Sequence, residues 1–136
     1  MHADDYHFIL FFGSAPVVII NDVEYRVKKG DILVIQPWVG VYGVPGKNNE
    51  YSTYMQITVK KDFFKEISAE IAKGKDFEFK RIHGHYSKQL LDLIGNFQLE
   101  LMNYGEACPK MIRSLSTQIV FQLIRDLSTD PISTNE

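Results

Sequence analysis

VVIINDVEYRVKKGDILVIQP, residues 17–37, decides the fold of this chain. Val17, Val18, Ile19 and Ile20 are all β-branched, and such side chains lose χ1 freedom in a helix while packing well on a pleated surface. Asn21 and Asp22 supply a tight turn, because both tolerate positive φ and hydrogen-bond nearby backbone. Val23, Tyr25 and Val27 alternate with Glu24, Arg26 and Lys28, a period of two that puts one face on a core and the other in water. Lys29-Gly30-Asp31 reads as the next turn. Ile32, Leu33, Val34 and Ile35 are apolar on both faces, as in a strand inside a barrel or sandwich, and Pro37 ends the run by withholding a ladder donor.

Working outward, residues 6–12, YHFILFF, form an aromatic and β-branched strand, and residues 13–16, GSAP, turn it back so that it pairs with the strand at 17–20. Residues 38–54 are punctuated by Gly40, Gly43, Pro45 and Gly46 and read as a turn-rich loop. Strand character resumes at 51–60. There Tyr51, Met55, Ile57 and Val59 lean one way, and Ser52, Tyr54, Gln56 and Thr58 the other. Inside a barrel that second, polar and aromatic face suits a small polar ligand; the alternative is that it meets water.

Asp62 is placed as the N-cap of a short helix carrying Phe63, Phe64, Ile67 and Ile71, which Gly74 closes in the left-handed conformation. Residues 77–82 read as an edge strand or extended connector. Ser87 caps a longer helix over 88–104, Gly105 ends it, and Pro109 opens another that runs to about Leu127. The apolar arcs of these two helices are broader than one contact surface needs. One face then covers the open side of the strands and another meets a second subunit, with Leu115, Ile119, Leu123 and Leu127 as the expected interface. The alternative is that the subunit's own core consumes both arcs.

A chain of 136 residues with 45% apolar content is one domain with a core that needs no disulfide. Its net charge of -2 carries no electrostatic footprint for nucleic acid. The single cysteine, Cys108, excludes an internal disulfide and fits a reducing compartment. The apolar run at 8–12 is too short for a signal peptide and follows Asp4 and Asp5 instead of basic residues, and no stretch approaches a membrane span. The expectation is a soluble cytoplasmic protein with no membrane partner.

The run E-Y-R-V-K-K-G-D-I-L-V-I-Q-P, residues 24–37, followed by the helical second half, resembles the cupin-type ligand-binding domain found at the N-terminus of AraC-family transcription regulators. The resemblance covers residues 6–127. It implies a mainly β fold with α: a cupin-like double-stranded β-barrel (jelly roll) over about 6–82, then two antiparallel C-terminal helices over about 87–127. It also implies that residues 1–127 sense an effector and form a homodimer through those helices. Residues 128–136, STDPISTNE, then form a linker toward a helix-turn-helix DNA-binding domain that this chain does not contain, so the chain itself touches no nucleic acid. The strand at residue 6 lies almost at the start, so leading residues that family members carry are missing and a trimmed chain is expected. Sugars are a frequent effector class in the resembled family.

Ligand-binding candidates follow from the barrel-mouth position and the polar face. Trp38, the one tryptophan, follows the strand-ending proline and can stack on a flat ligand. Tyr42, Tyr54 and Gln56 come next, then His7 and Tyr6.

A metal-dependent cupin, an isomerase or dioxygenase, is the rival reading, and it needs about three imidazoles and a carboxylate converging in the barrel. The chain departs from that pattern: only His2 and His7 lie near the first ligand positions, Tyr6 stands about where the carboxylate belongs, and Val41 occupies the later histidine's place. No catalytic metal and no cofactor are expected. His83-Gly84-His85 reads as a solvated turn, and Cys108 as an ordinary half-buried residue. No phosphate-binding or nucleophile motif occurs. A dimerisation module with a filled barrel is the third reading.

Overall fold

The computed structural model describes residues 4–13, 17–39, 53–73 and 77–128, together with the backbone of 41–43. The elements are β1 (Tyr6–Phe11), β2 (Val18–Ile20), β3 (Val23–Tyr25), β4 (Asp31–Ile35), β5 (Val41–Gly43), β6 (Tyr54–Val59), α1 (Lys61–Ala72), β7 (His83–His85), α2 (Lys88–Tyr104) and α3 (Pro109–Ser128). Helices of 12, 17 and 20 residues stand against strands of three to six, so the fold is mixed α and β instead of mainly β.

The strands divide into two antiparallel sheets, one of four strands in the order β6-β1-β4-β7 and one of three in the order β3-β2-β5. They do not close into one barrel among the described residues. The expected pairing of β1 with β2 does not occur: β1 lies between β4 and β6, with His7 opposite Ile35 and Phe8 opposite Ile57. The reason is burial. β1 and β4 are apolar on both faces and take the central positions, where both faces are covered; all five residues of β4 are buried. β2 and β3 form the two-residue hairpin foreseen at Asn21-Asp22, with φ of 52° and 67° and Ile20 opposite Val23.

Alternation along the four-stranded sheet sends its two faces to two cores. Tyr6, Phe8 and Leu10 of β1 join Ile32 and Val34 of β4 beneath the helices, where Phe64, Ile94 and Leu123 complete the packing. Phe11, Leu33 and Ile35 point the other way and pack with Ile20 and Val27, which ties the three-stranded sheet to that face. The molecule is thus layered as helices, four-stranded sheet, three-stranded sheet.

The helices run as their caps dictate, with two shifts. Ser87 Oγ accepts a hydrogen bond from Leu90 N at 3.1 Å, and Gly105 closes α2 at φ 59°. Ser87 N also donates to Asp126 Oδ2 at 2.7 Å, so the start of α2 meets the end of α3 and the pair is antiparallel. α1 begins at Lys61 behind Lys60, which caps with no side chain, so Asp62 sits in the first turn instead of at the cap, where its charge still complements the helix dipole. The left-handed residue that ends α1 is Lys73, at φ 53°; Gly74 lies outside the described residues.

Two further expectations are corrected. His83-Gly84-His85 is no solvated turn: it is β7, paired with β4 so that His83 stands opposite Leu33 and His85 opposite Asp31, and the strand begins after residues 77–82 instead of within them. Of the expected dimer contacts, Ile119, Leu123 and Leu127 are buried in the subunit's own core at 7%, 0% and 1% exposure, and Leu115 is half-buried. The α3 stripe faces β1 and β4 and leaves those three residues no surface for a partner.

Candidate ligand site

The face of the four-stranded sheet that looks toward the second sheet carries a polar group at its β6 edge. His7 points there because Tyr6 and Phe8, its neighbours, point to the helices. The antiparallel register sets Thr58 directly opposite His7 and Gln56 one rung along. Gln56 Nε2 lies 3.1 Å and Thr58 Oγ1 3.2 Å from His7 Nδ1. With the Gln56 amide donating, Nδ1 is the acceptor and the ring proton resides on Nε2. That Nε2 is buried and has no hydrogen-bond partner among the described residues. A buried polar atom left without a partner costs about 1–3 kcal/mol.

A second cluster lies at the other end of β4. The Gly-Asp turn is closed by reciprocal bonds, Asp31 N to Lys28 O and Lys28 N to Asp31 Oδ2, both 3.0 Å, with Gly30 at φ 97°. Asp31 is 2% exposed. Its carboxylate meets both histidines of β7: His83 Nε2 donates to Oδ2 at 3.0 Å, and His85 Nδ1 stands 3.1 Å from Oδ1. The second contact has the distance of an ion pair but not the angles of a hydrogen bond, so Oδ1 stays unmet despite its near neighbour. Tyr25 packs edge-on against the His83 ring, with centroids 5.9 Å apart. Tyr86 closes this end: its hydroxyl donates to Phe11 O at 2.8 Å. Burial pushes its phenol above the usual range; a backbone hydrogen bond with Gly30 opposes the shift and the Asp31 charge adds to it.

The ligand candidates named above part company here. His7 and Gln56 are brought together, and Thr58 joins them. Tyr6 belongs to the opposite face: it is 8% exposed and stacks on Phe64 with centroids 3.9 Å apart, because an odd step along β1 turns it to the helices. Tyr54 shares the inner face but lies at the Phe11 end, 56% exposed, away from His7. Trp38 follows β4 on the His7 side, 66% exposed, at φ 63°. Tyr42 pairs through its backbone with Ile19; its side chain lies outside the described residues. The Asp31 cluster went unseen because a His-x-His spacing shares a face only if the segment is a strand.

No protein-family model matches the chain, and no curated protein does. Among solved structures, the AraC-like transcriptional activator CuxR is similar over 94% of this chain, with a TM-score of 0.55 and 11% identity. That likeness is one of fold. This chain spans 44% of the CuxR chain. The plu4264 protein of Photorhabdus luminescens matches 45% of this chain and 50% of its own, at 22% identity and a TM-score of 0.39.

A groove of about 790 Å³ runs between the β6 edge and the α2–α3 pair, lined by Gln56 and Thr58 of the candidate site together with Met55, Ile57, Phe97 and Ile112 among others. Arg113 there pairs with Glu66 and lies over the Phe63 ring. No described helix is long and apolar enough to cross a membrane. Among the described residues no group of three or more His, Cys, Asp or Glu side chains could hold a metal ion.

Proposed function

We propose that this chain is the effector-sensing and dimerisation part of an AraC-type transcription regulator, built on a cupin-like, metal-free jelly roll. A small polar molecule, a sugar being one class, binds between the two sheets against His7, Gln56 and Thr58, with Trp38 at the lip. The paired helices hold a homodimer, and a helix-turn-helix domain outside this chain receives the signal and contacts DNA. That role belongs in the cytoplasm and needs no chemistry from the chain itself.

The observation that carries this reading is the CuxR-like fold over 94% of the chain. Two local features support the pocket. His7 Nε2 is buried and has no hydrogen-bond partner among the described residues. Trp38 combines a left-handed backbone, which costs about 1–3 kcal/mol for such a residue, with a largely exposed ring. The signal requires the effector to prefer one arrangement of the attached domain over another.

Thermal-shift screening with small polar metabolites, sugars included, tests the pocket. A true effector at a hundredfold excess over its Kd stabilises by about 2.7 kcal/mol. Gln56→Leu, at an exposed strand position, should lower the unliganded stability by no more than about 1 kcal/mol, the worth of its bond to His7, and weaken binding at least tenfold. A ligand shift unchanged in Gln56→Leu places the site elsewhere, and stabilisation by no compound favours the plain dimerisation module.

A further inference from the structure

We propose that the outer edge of β6 pairs with β6 of a second copy of this chain, antiparallel about a two-fold axis at Gln56, so that the two four-stranded sheets join into one. This joint belongs to the homodimer of the proposed function, rests on that reading, and gives it a geometry.

β6 is the outer strand of its sheet, and the ladder to β1 fixes which of its backbone groups face out. Phe12 N donates to Thr53 O at 2.8 Å, one step beyond the Phe11–Tyr54 rung. Rungs of an antiparallel pair alternate, so the hydrogen-bonded ones are those of Thr53, Met55, Ile57 and Val59. The N–H and C=O groups of Tyr54, Gln56 and Thr58 therefore point away from β1, and no described residue meets them. All three residues are exposed, and the groove beside the α2–α3 pair runs along this edge. Folded proteins protect a bare edge by shortness, charge, proline or a bulge. The other edge strands, β3, β5 and β7, have three residues each. β6 has six, YMQITV, with no charge and no proline.

The strand's own sequence supplies the partner. With the axis at Gln56, that residue lies opposite Gln56 of the second copy, and Tyr54 lies opposite Thr58 in both directions. These are the outward-facing residues, so each such rung exchanges an N–H and a C=O both ways. Between them Met55 lies opposite Ile57, apolar against apolar, on the face toward the helices. No rung sets like charges together. A two-fold axis normal to the sheet keeps the helices of both copies on one face, where the exposed Leu99, Leu101 and Met102 near the end of α2 extend the contact. That extension is required, because a stable interface buries about 800 Å² per partner, more than one strand edge offers.

The joint also sets the two His7 clusters side by side. Gln56 Nε2 lies 3.1 Å from His7 Nδ1 of its own chain. Directly opposed Cβ atoms of paired strands stand about 4.5–5.5 Å apart, so the two Gln56 side chains are neighbours across the axis. A ligand that draws on Gln56 in one subunit therefore acts on the joint that the other shares.

Cross-linking and sedimentation of the full chain in a Cys108→Ser background, which removes the exposed thiol, test the joint. The parent should be a dimer at micromolar concentration. Cα atoms on a hydrogen-bonded rung are about 5.5 Å apart, within disulfide reach, so Gln56→Cys should oxidise to a covalent dimer. Lys60→Cys should not, because its two copies stand about 27 Å apart along the joined strands. Gln56→Lys sets two ammonium groups against each other on the axis and should raise the dimer Kd at least tenfold, with circular dichroism showing the fold retained, whereas Gln56→Leu should stay dimeric. A dimeric parent in which Gln56→Cys fails to cross-link, or in which folded Gln56→Lys associates as tightly as the parent, overturns this joint and leaves the homodimer standing. A monomeric parent overturns both and leaves the edge to a strand of another protein.

Discussion

Tyr86 shows how one residue gathers several constraints. Its hydroxyl is committed to Phe11 O, its backbone N–H to Gly30 O at 3.1 Å, and Asp31 lies close enough to raise its pKa further above 10.0. A phenol whose folded value is raised keeps its proton where the unfolded chain has lost it. The stabilisation is therefore complete below the unfolded value and is lost as pH rises through the folded one. Denaturant midpoints should fall as pH rises above 10. Tyr86→Phe should lower stability by about 1 kcal/mol at neutral pH, the worth of its hydrogen bond, and flatten the alkaline limb relative to the parent. Parallel alkaline limbs in the two proteins would remove Tyr86 from this role. At the residue scale, the period of two along 54–59 puts Gln56 and Thr58 on one face, and the register of β6 against β1 brings His7 to them. Tyr6, one step along β1 from His7, points to the helices and stacks on Phe64.

Elements were legible where the signal is local. Asn21-Asp22, the Gly-Asp turn, Ser87, Gly105 and Pro109 each act through neighbouring backbone, and each lies where the chemistry of its side chain or φ puts it. Pairing partners were not legible, because β1 meets β4 and β6 across long stretches of chain whose closure no local signal announces. β7 was missed for the same reason: a three-residue strand exists only because β4 offers an edge. Two glycines test this placement with opposite signs. An alanine methyl at Gly84 meets Asp126 O at 3.3 Å and Leu127 Cδ2 at 3.5 Å, whereas one at Gly95, within α2, meets nothing within 4 Å. Gly84→Ala should cost about 1–3 kcal/mol by forcing β7 from α3. Gly95→Ala should stabilise by up to about 1 kcal/mol through helix propensity alone. Urea melts decide it, and a neutral Gly84→Ala would mean that β7 and α3 separate at little cost.

For the whole molecule, the breadth of the helical stripes was readable from sequence while the surface that covers each part of them was not. α3 gives Ile119, Leu123 and Leu127 to its own sheet, so the apolar residues left for a second subunit lie mostly on α2 and the start of α3: Leu99 at 53% exposure, Leu101 at 39%, Met102 at 78% and Met111 at 45%. Leu99 and Met102 are three apart and share a helical face. The proposed homodimer therefore rests on this end of the helical pair, next to the groove beside β6. Changes in the two groups of residues should separate folding from association. Leu123→Ala removes a fully buried side chain and should cost about 2–5 kcal/mol of stability, lowering the melting point whatever the protein concentration. Leu99→Lys with Met102→Lys should leave the subunit's own core untouched, since both side chains are already largely in water. In sedimentation at micromolar concentration the parent should run as a dimer and this double variant as a folded monomer. A parent that is already monomeric removes the dimer from the proposal, and a double variant that stays dimeric moves the interface to another face of the molecule.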